Sequence, residues 1–348
     1  MTAFIQPTFR GPALPMNDWH DDQYNENLLH GVIEWCRWSM LDIGGYQNVV
    51  VDDVSGIYGG HMARLRPVVD PNYTDGQIWE GIRSDWVWET GVGYTGAQPV
   101  VANGVFINGN FFPASGEDLS TLTGSQLGAM GLTDYGLQDI TDAYSHIINF
   151  PLGRVIFTNP LSTSDVVTAN YCYRSVSFVE SKEPWFQQLL YNSFKVQRTD
   201  FLSPTGGYSH LAQTRRQMPV VGVELVQRRQ SRPYELGSLS QFKCQDVLFY
   251  VLAENAVDRN QIMDILEAQT DKEILLIDRV SMKADSRYPM TLDYNGSPVA
   301  SPMQYPDLIR AFPSPSIARI ERCTAQSMET INDWLFRGTV RMSFEAIL

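Results

Sequence analysis

Short apolar runs that alternate with turn residues constrain the fold of this chain more than any other feature of its sequence. In Val105–Phe112, two such runs flank Asn108–Gly109, a pair that accepts the positive φ angles of a tight hairpin turn. The segment 147–157 repeats this pattern with a longer turn around Pro151–Gly153. A further strand is predicted over 168–179, where tyrosine side chains alternate with Cys172 and other apolar residues. Three strand signals so close together predict a sheet or sandwich.

The chain begins with a different pattern. Three prolines and no periodicity in residues 1–20 predict an extended arm. A helix is predicted from about 23 to 43, because its apolar residues recur at the i, i+3, i+4 spacing. Asp21 and Asp22 are predicted to cap its start, and Gly44–Gly45 to end it.

The last third mixes both element types. Helices are predicted from about 183, and over 260–268 with Asp258 as its cap. The predicted strands are 219–226, 244–253, 274–280, 316–326 and 338–347. We therefore expect a mainly β protein with peripheral helices, of the α+β class, with a β-sandwich or barrel-like core and a long N-terminal helix. Its regions would be an arm and helix (1–48), a hairpin-rich region (49–180) and a mixed β/α region packing on the same core (181–348).

Composition excludes several classes of protein. Of 348 residues, 43% are hydrophobic, which is enough to bury a large core and argues against global disorder. The chain has 26 Lys and Arg against 39 Asp and Glu, a net charge of −13, which disfavours general nucleic-acid binding. The apolar runs are too short to span a membrane, and we expect no signal peptide. Four widely spaced cysteines are expected to remain reduced thiols.

Sequence motifs for catalysis are missing. The chain has no phosphate-binding glycine loop of the GxxxxGK type, no HExxH, no GxSxG and no CxxC pair. Its five histidines lie in unrelated contexts, each more typical of a surface or partly buried imidazole than of a catalytic one. We therefore expect no enzymatic activity, no cofactor and no metal.

Two acidic groups leave one enzymatic alternative open. Asp52–Asp53, and Asp70 with Asp75, could supply the paired carboxylates of a glycoside hydrolase. Aspartate beside proline or glycine is more typical of a turn. The cluster His20–Asp22 could be half of a metal site, but a helix cap explains both of its aspartates.

Aromatic and basic residues suggest surfaces for binding. Trp35 and Trp38 lie on the predicted first helix, and three more tryptophans follow within 79–88. Exposed indoles could form a sugar-binding platform, whereas buried ones would fill a core or a subunit interface, which we favour. Arg215–Arg216 and the arginines of 228–232 could contact an acidic neighbouring subunit or passing DNA, or be solvated charges beside a strand.

Several phrases of the sequence resemble virion structural proteins of tailed bacteriophages. They are VFING at 105–109, IINFPLGRVIF at 147–157, VVTANYCY at 166–173, LFYVLAE at 248–254 with DRNQ at 258–261, DYNG at 293–296 and YPDL at 305–308. The end of the first predicted helix, LDIGGYQNV at 41–49, resembles the start of neck and head–tail connector proteins. The polar insert 115–144 departs from that pattern.

This resemblance implies a non-enzymatic subunit that forms a ring of identical copies at the neck or collar of a virion, made in the host cytoplasm. Its further partners would be neighbouring neck, portal-adaptor or tail proteins, and DNA could pass without sequence-specific binding. The interface candidates are Phe4, Ile5, Phe9, Leu14, Trp35, Trp38, Arg215 and Arg216. The alternatives are a baseplate or other tail subunit, a carbohydrate-binding receptor module, and a carboxylate-dependent glycoside hydrolase.

Overall fold

A computed structural model gives the positions of most of the chain. It describes residues 20–51, 61–70, 73–114, 144–191, 217–233, 241–284, 303–328, 330–331 and 335–347. The predicted arm with its four interface candidates lies outside the described residues, as do Arg215, Arg216, Asp52, Asp53 and nearly all of the insert 115–144.

The protein is mainly β, as predicted. Among the described residues, 41% lie in strands and 24% in helices. The helices are α1 (His20–Asp42), α2 (Pro184–Tyr191), α3 (Ala256–Glu267), α4 (Arg279–Ala284) and α5 (Tyr305–Ala311), with a 3-10 turn at His61–Ala63. The side chains of α1 are described from Tyr24 onward.

The strands fall into a set of short ones followed by a set of long ones. The short strands are β1 (Tyr46–Val49), β2 (Arg66–Val68), β3 (Ile78–Glu80), β4 (Gly104–Ile107), β5 (Asn110–Pro113), β6 (His146–Asn149), β7 (Arg154–Phe157), β8 (Val167–Thr168), β9 (Tyr171–Arg174) and β10 (Ser177–Glu180). The later strands are β11 (Val220–Pro233), β12 (Gln241–Ala253), β13 (Glu273–Ile277), β14 (Pro313–Ser327) and β15 (Phe336–Ile347).

The long strands build one curled six-stranded sheet with the order β10-β11-β12-β15-β14-β13. β10 pairs with β11 in parallel, and the other neighbours are antiparallel. The short strands form smaller sheets with the orders β2-β3-β7-β6, β5-β4-β8 and β1-β9. The early and late parts of the chain thus use different sheets.

Both hairpins predicted from the turn residues are confirmed. β4 and β5 pair around Asn108 and Gly109, whose φ angles of 51° and 88° are those of a tight turn that favours asparagine and glycine. β6 and β7 pair around the longer turn, where Gly153 also has a positive φ.

One hydrophobic core lies between the large sheet and its helices. α1 buries Leu28 and Val32 against it, and α3 buries Ile262 and Leu266. These side chains contact inward-facing residues of the sheet such as Phe249. The apolar face of each helix and the apolar face of the sheet therefore form one buried layer.

A second core lies among the smaller sheets. Trp79 of β3, Val105 of β4, Phe157 of β7 and Tyr171 of β9 are all almost fully buried in it. Trp86 stacks on the Tyr171 ring with centroids 4.3 Å apart. Aromatic residues therefore fill the space between short strands that could not bury enough surface on their own.

Three sequence predictions need correction. The strand predicted over 168–179 is three strands, because the chain leaves the small sheets after Arg174 and joins the large sheet at Ser177. The helix predicted at 260–268 begins earlier, and Asn255 caps it: the Asn255 Oδ1 accepts a hydrogen bond from the Asp258 N–H at 2.7 Å. The strand predicted over 274–280 ends at Ile277, since α4 follows.

Candidate functional site: a charged cleft between the two cores

A cleft of about 450 Å³ opens where the two cores meet. Its walls come from the middle of α1, the segment after β3, strands β9 and β10, and the start of α2. Charged residues supply much of its lining, and they belong to segments far apart in sequence. The fold, rather than any local motif, therefore creates this site.

Arg174 is the centre of the charged cluster. Its side chain is only 5% exposed, its Nη2 donates to Oε1 of Glu89, and its Nε lies 3.3 Å from Oδ1 of Asp85. Its backbone N–H also donates to the Asp85 carbonyl at 3.1 Å. Burial alone would lower the pKa of Arg174, but the Glu89 and Asp85 carboxylates reverse that effect and raise it. This guanidinium is therefore firmly charged and held between two carboxylates.

A second arginine ties α1 to the large sheet. Arg37 donates to Oε1 of Glu34 at 3.1 Å, and its Nη2 and Nε donate to the Phe178 carbonyl at 2.8 and 3.2 Å. Burial raises the pKa of Glu34, although Arg37 and then Arg174 oppose the rise. Glu34 is thus a mostly buried acid close to two cations.

The rim of the cleft combines one further ionic contact with aromatic side chains. His30 Nε2 lies 3.3 Å from Oε1 of Glu180. Trp88 and Trp185 are half-buried and line the cleft, whereas Trp86 is buried and donates from its indole to the Arg83 carbonyl at 2.7 Å. The indoles of this region therefore serve mainly as packing.

Three carboxylates of the cleft, Glu34, Asp85 and Glu89, are already engaged by arginines. Glycoside hydrolysis needs two carboxyl groups that face the substrate, one acting as an acid and the other as a base or nucleophile. Here Asp85 and Glu89 share Arg174, and Glu34 contacts Arg37. These contacts pair buried charges, fasten β9 to the segment after β3 through Arg174, and fasten α1 to β10 through Arg37.

Of the other predicted acidic pair, Asp70 lies in an ion pair and Asp75 in a turn. Asp70 Oδ2 lies 3.8 Å from Arg154 Nη1, and Arg154 Nε also donates to Glu80 at 2.7 Å. Asp75 is exposed in the turn before β3. Turn formation and ion pairing account for both aspartates.

Two of the predicted interface residues can be located. Trp35 is half-buried and packs against the core of the large sheet. Trp38 is half-buried beside a small cluster that includes Leu41 and Cys172. Both therefore contact the body of their own subunit, and an interface role for their exposed parts stays a prediction.

The described histidines and the cysteines do not gather at the cleft, apart from His30. His61 is exposed on the 3-10 turn, and His146 is buried on β6 with its Nδ1 2.8 Å from the Tyr144 carbonyl. Burial lowers the pKa of His146 to about 4. All four cysteines lie among the described residues, and none of them forms a disulfide. Within the described ranges, no three His, Cys, Asp or Glu side chains are grouped so that they could hold a metal ion.

Sequence reasoning missed Arg174, the residue that organises the cleft. A signal was available, because the alternation of Tyr171, Cys172 and Tyr173 places a charged residue at 174 next to a buried strand. Such a charge needs a partner. Its partners Asp85 and Glu89 lie more than 80 residues away, so only the fold identifies them.

Comparisons with known proteins add no family. No protein-family model and no curated protein matches this chain. No helix of the described residues is both long and apolar enough to span a bilayer.

Proposed function

We propose that this chain is a structural subunit of a tailed-phage virion, placed at the neck or collar between head and tail, where identical copies form a ring. The resemblance of its hairpin, strand and first-helix sequences to such proteins supports the class. The observation that supports a structural rather than enzymatic role is the cleft, where arginines engage Glu34, Asp85 and Glu89 and fasten β9 to the segment after β3 and α1 to β10. A stiff body of this kind suits a protein that works by binding alone.

The proposed mechanism uses binding free energy at subunit contacts. Apolar arm residues, Phe4, Ile5, Phe9 and Leu14, would lock onto neighbouring subunits, with Trp35 and Trp38 adding aromatic contact. Arg215 and Arg216 would meet acidic surface on the next copy, because the chain carries a net charge of −13. A ring built by one repeated contact needs this kind of complementarity between two different surfaces.

The proposal extends to the fold and the neighbours of the chain. The smaller sheets share one aromatic core, which supports a sandwich-like module within the mainly β fold. Neck, portal-adaptor or tail proteins would bind above and below the ring in the virion. An acidic subunit would let DNA pass without gripping it, since tight binding needs cations along the phosphates.

Mass photometry and negative-stain electron microscopy of the purified full chain test this proposal. We expect closed rings whose mass is an integral multiple of the subunit mass. A glycoside panel run on the same sample should give background rates. Turnover that disappears in Glu34→Gln, but not in the exposed control Asp307→Asn, would contradict the structural role.

A further inference from the structure

The two edges of the large sheet carry long stretches of strand without a neighbour among the described residues. β10 covers β11 only opposite Val220–Val223, whereas β11 continues to Pro233. On the other side, β13 covers β14 only as far as Arg319, whereas β14 continues to Ser327. We name the free parts the β11 overhang (224–233) and the β14 overhang (321–327).

The overhangs lie at opposite ends of the sheet. The β11 overhang pairs with the start of β12, while the β14 overhang lies beside the start of β15. β10 therefore occupies one end of its edge and β13 occupies the other end of the opposite edge. The sheet is staggered, and half of each edge has no neighbouring strand within the part of the chain that the structure describes.

Hydrogen-bond alternation shows which main-chain groups of β11 face outward. Ser177 and Ser181 donate to the carbonyls of Pro219 and Val223, so the odd-numbered residues there face β10. The pairing of β11 with β12 is irregular between Leu225 and Arg229. Beyond this irregularity, the register places the main-chain groups of Arg229, Ser231 and Pro233 on the side of β11 that faces away from β12. Proline lacks an N–H and is tolerated at an outward position of an edge strand, so Pro233 agrees with this assignment.

The same reasoning applies to β14. Ile320 exchanges hydrogen bonds with Asp271 and Lys272, so it faces the β13 side. The register with β15 shifts by one residue after Ile320, and Cys323, Ala325 and Ser327 then face outward. Each overhang thus presents three alternate residues with outward main-chain groups.

From this geometry we infer that the β11 overhang of one subunit pairs with the β14 overhang of a second copy of this chain, which continues the sheet from subunit to subunit. The inference rests on the proposed ring and names the contact that builds it. Strands β11 and β14 run in opposite directions within one sheet, so two copies in the same orientation would pair antiparallel at this contact.

Charge favours this pairing over one between identical edges. The β11 overhang contains three arginines within Arg228–Arg232 in an otherwise acidic chain. The β14 overhang itself carries exposed Glu321 and Arg322, and beside it Asp264 and Glu267 on α3 add two exposed carboxylates, so the acidic charge prevails. Helix α3, which carries Glu267, packs against β14. Opposite charges would therefore meet, whereas two arginine-rich edges would repel each other.

The stagger also has the size that a closed, tilted sheet requires. Ser231 lies level with Ala318 across β12 and β15, and the β15 partners of Ala318 and Ala325 are six residues apart. If Ser231 pairs with Ala325 of the next copy, that copy is displaced by about 20 Å along the strand direction. In the perpendicular direction, four strand spacings separate one copy from the next, a distance of about 19 Å. The resulting tilt of about 45° lies at the upper end of the range of closed β-barrels.

Proline variants test the pairing in the full chain. Ser231→Pro and Ala325→Pro each remove an outward N–H, so we expect both to fold as the wild type does and to weaken self-association at least tenfold in mass photometry. Ser231→Ala keeps the N–H and should assemble normally. Thr324→Pro removes an inward N–H that β15 uses, so it should instead lower the melting temperature.

Cross-linking locates the contact. In a background with Cys244→Ser and Cys323→Ser, the double variant Ser231→Cys with Ala325→Cys should let a short bismaleimide join peptides of the two overhangs between subunits, and the single variants in the same background should not give that product. Rings with unaffected proline variants, or cross-links from position 231 to another segment, overturn this pairing and leave the proposed function standing. A protein that stays monomeric at all concentrations overturns the pairing and counts against the ring as well.

Discussion

Arg174 links β9 to the segment after β3 through charge rather than through apolar packing. Its side chain is almost fully buried between Glu89 and Asp85. Burying an ion pair is not necessarily stabilising compared with apolar residues, but removing one partner leaves a buried charge alone. The cost of losing this residue should therefore be large.

We expect Arg174→Met to lower the free energy of unfolding by about 3 kcal/mol or more. The matched control is Arg310→Met, because Arg310 is 80% exposed and pairs with Asp307 on the surface. That change should cost less than about 1 kcal/mol. Chemical denaturation followed by fluorescence measures both. Equal losses in the two variants would show that the cluster does not fasten β9 to the segment after β3.

His146 makes the stability depend on pH. Its folded pKa of about 4 lies below the ordinary histidine value, because the ring is buried. The unfolded chain therefore binds the proton more tightly, and the stability that neutral His146 permits is lost as pH falls from about 6.5 toward 4. The loss from this group should approach about 3 kcal/mol and then level off at lower pH.

Stability curves at several pH values check this prediction against a variant without the titrating ring, His146→Gln. The variant should show a shallower decline between pH 6.5 and 4. An imidazole that titrates near 6.5 in an NMR experiment on the folded protein would contradict the burial of His146.

Among the elements, α3 allows a sharp comparison between sequence and structure. The sequence predicts Asp258 as its cap, but the structure assigns the cap to Asn255. We expect Asn255→Ala to cost about 1 kcal/mol and Asn255→Ser to cost little, since serine also caps helices. Asp258→Ala should cost only a few tenths of a kcal/mol from the helix dipole. Thermal unfolding that ranks Asp258→Ala as the worse change would reverse the assignment.

How far the elements follow from the sequence depends on how local their causes are. The Asn108–Gly109 hairpin was predictable because two adjacent residues determine the turn. The break of the strand after Arg174 was not, because it reflects which core each side of the break contacts. The short helix α5 was not predicted from the sequence, although Pro306 lies in its first turn, where proline is common.

The candidate site was predicted least well for the same reason. Its pairs join α1 to β10 and β9 to the segment after β3, over separations of 85 to 141 residues. Single residues such as Trp35 and Trp38 could be placed on the first helix, but the charged cluster exists only through the topology. Ion pairs between segments that are distant in sequence are therefore the feature that is hardest to predict from a single sequence.

For the whole molecule, the proposed role combines a stiff two-core body with sheet edges that can accept a further copy. The long strands of the large sheet provide the edges, while Arg37 holds α1 to the large sheet and Arg174 holds β9 to the segment after β3. Self-association should weaken with salt if the arginine-rich overhang meets acidic neighbours. Mass photometry between about 50 and 500 mM salt measures that dependence, because this range extends about threefold below and above physiological ionic strength. Ring stability that rises with salt would instead indicate a mainly apolar contact.

Immunogold electron microscopy of the particles that carry this protein tests the central claim most directly. An antibody raised against the full chain should label the junction between head and tail, with the label absent from the tail tip. A matched control antibody against an unrelated protein should give no label at that junction. Gold at the baseplate or fibres, or particles free of label when the denatured sample reacts, would contradict a place for this protein in the neck.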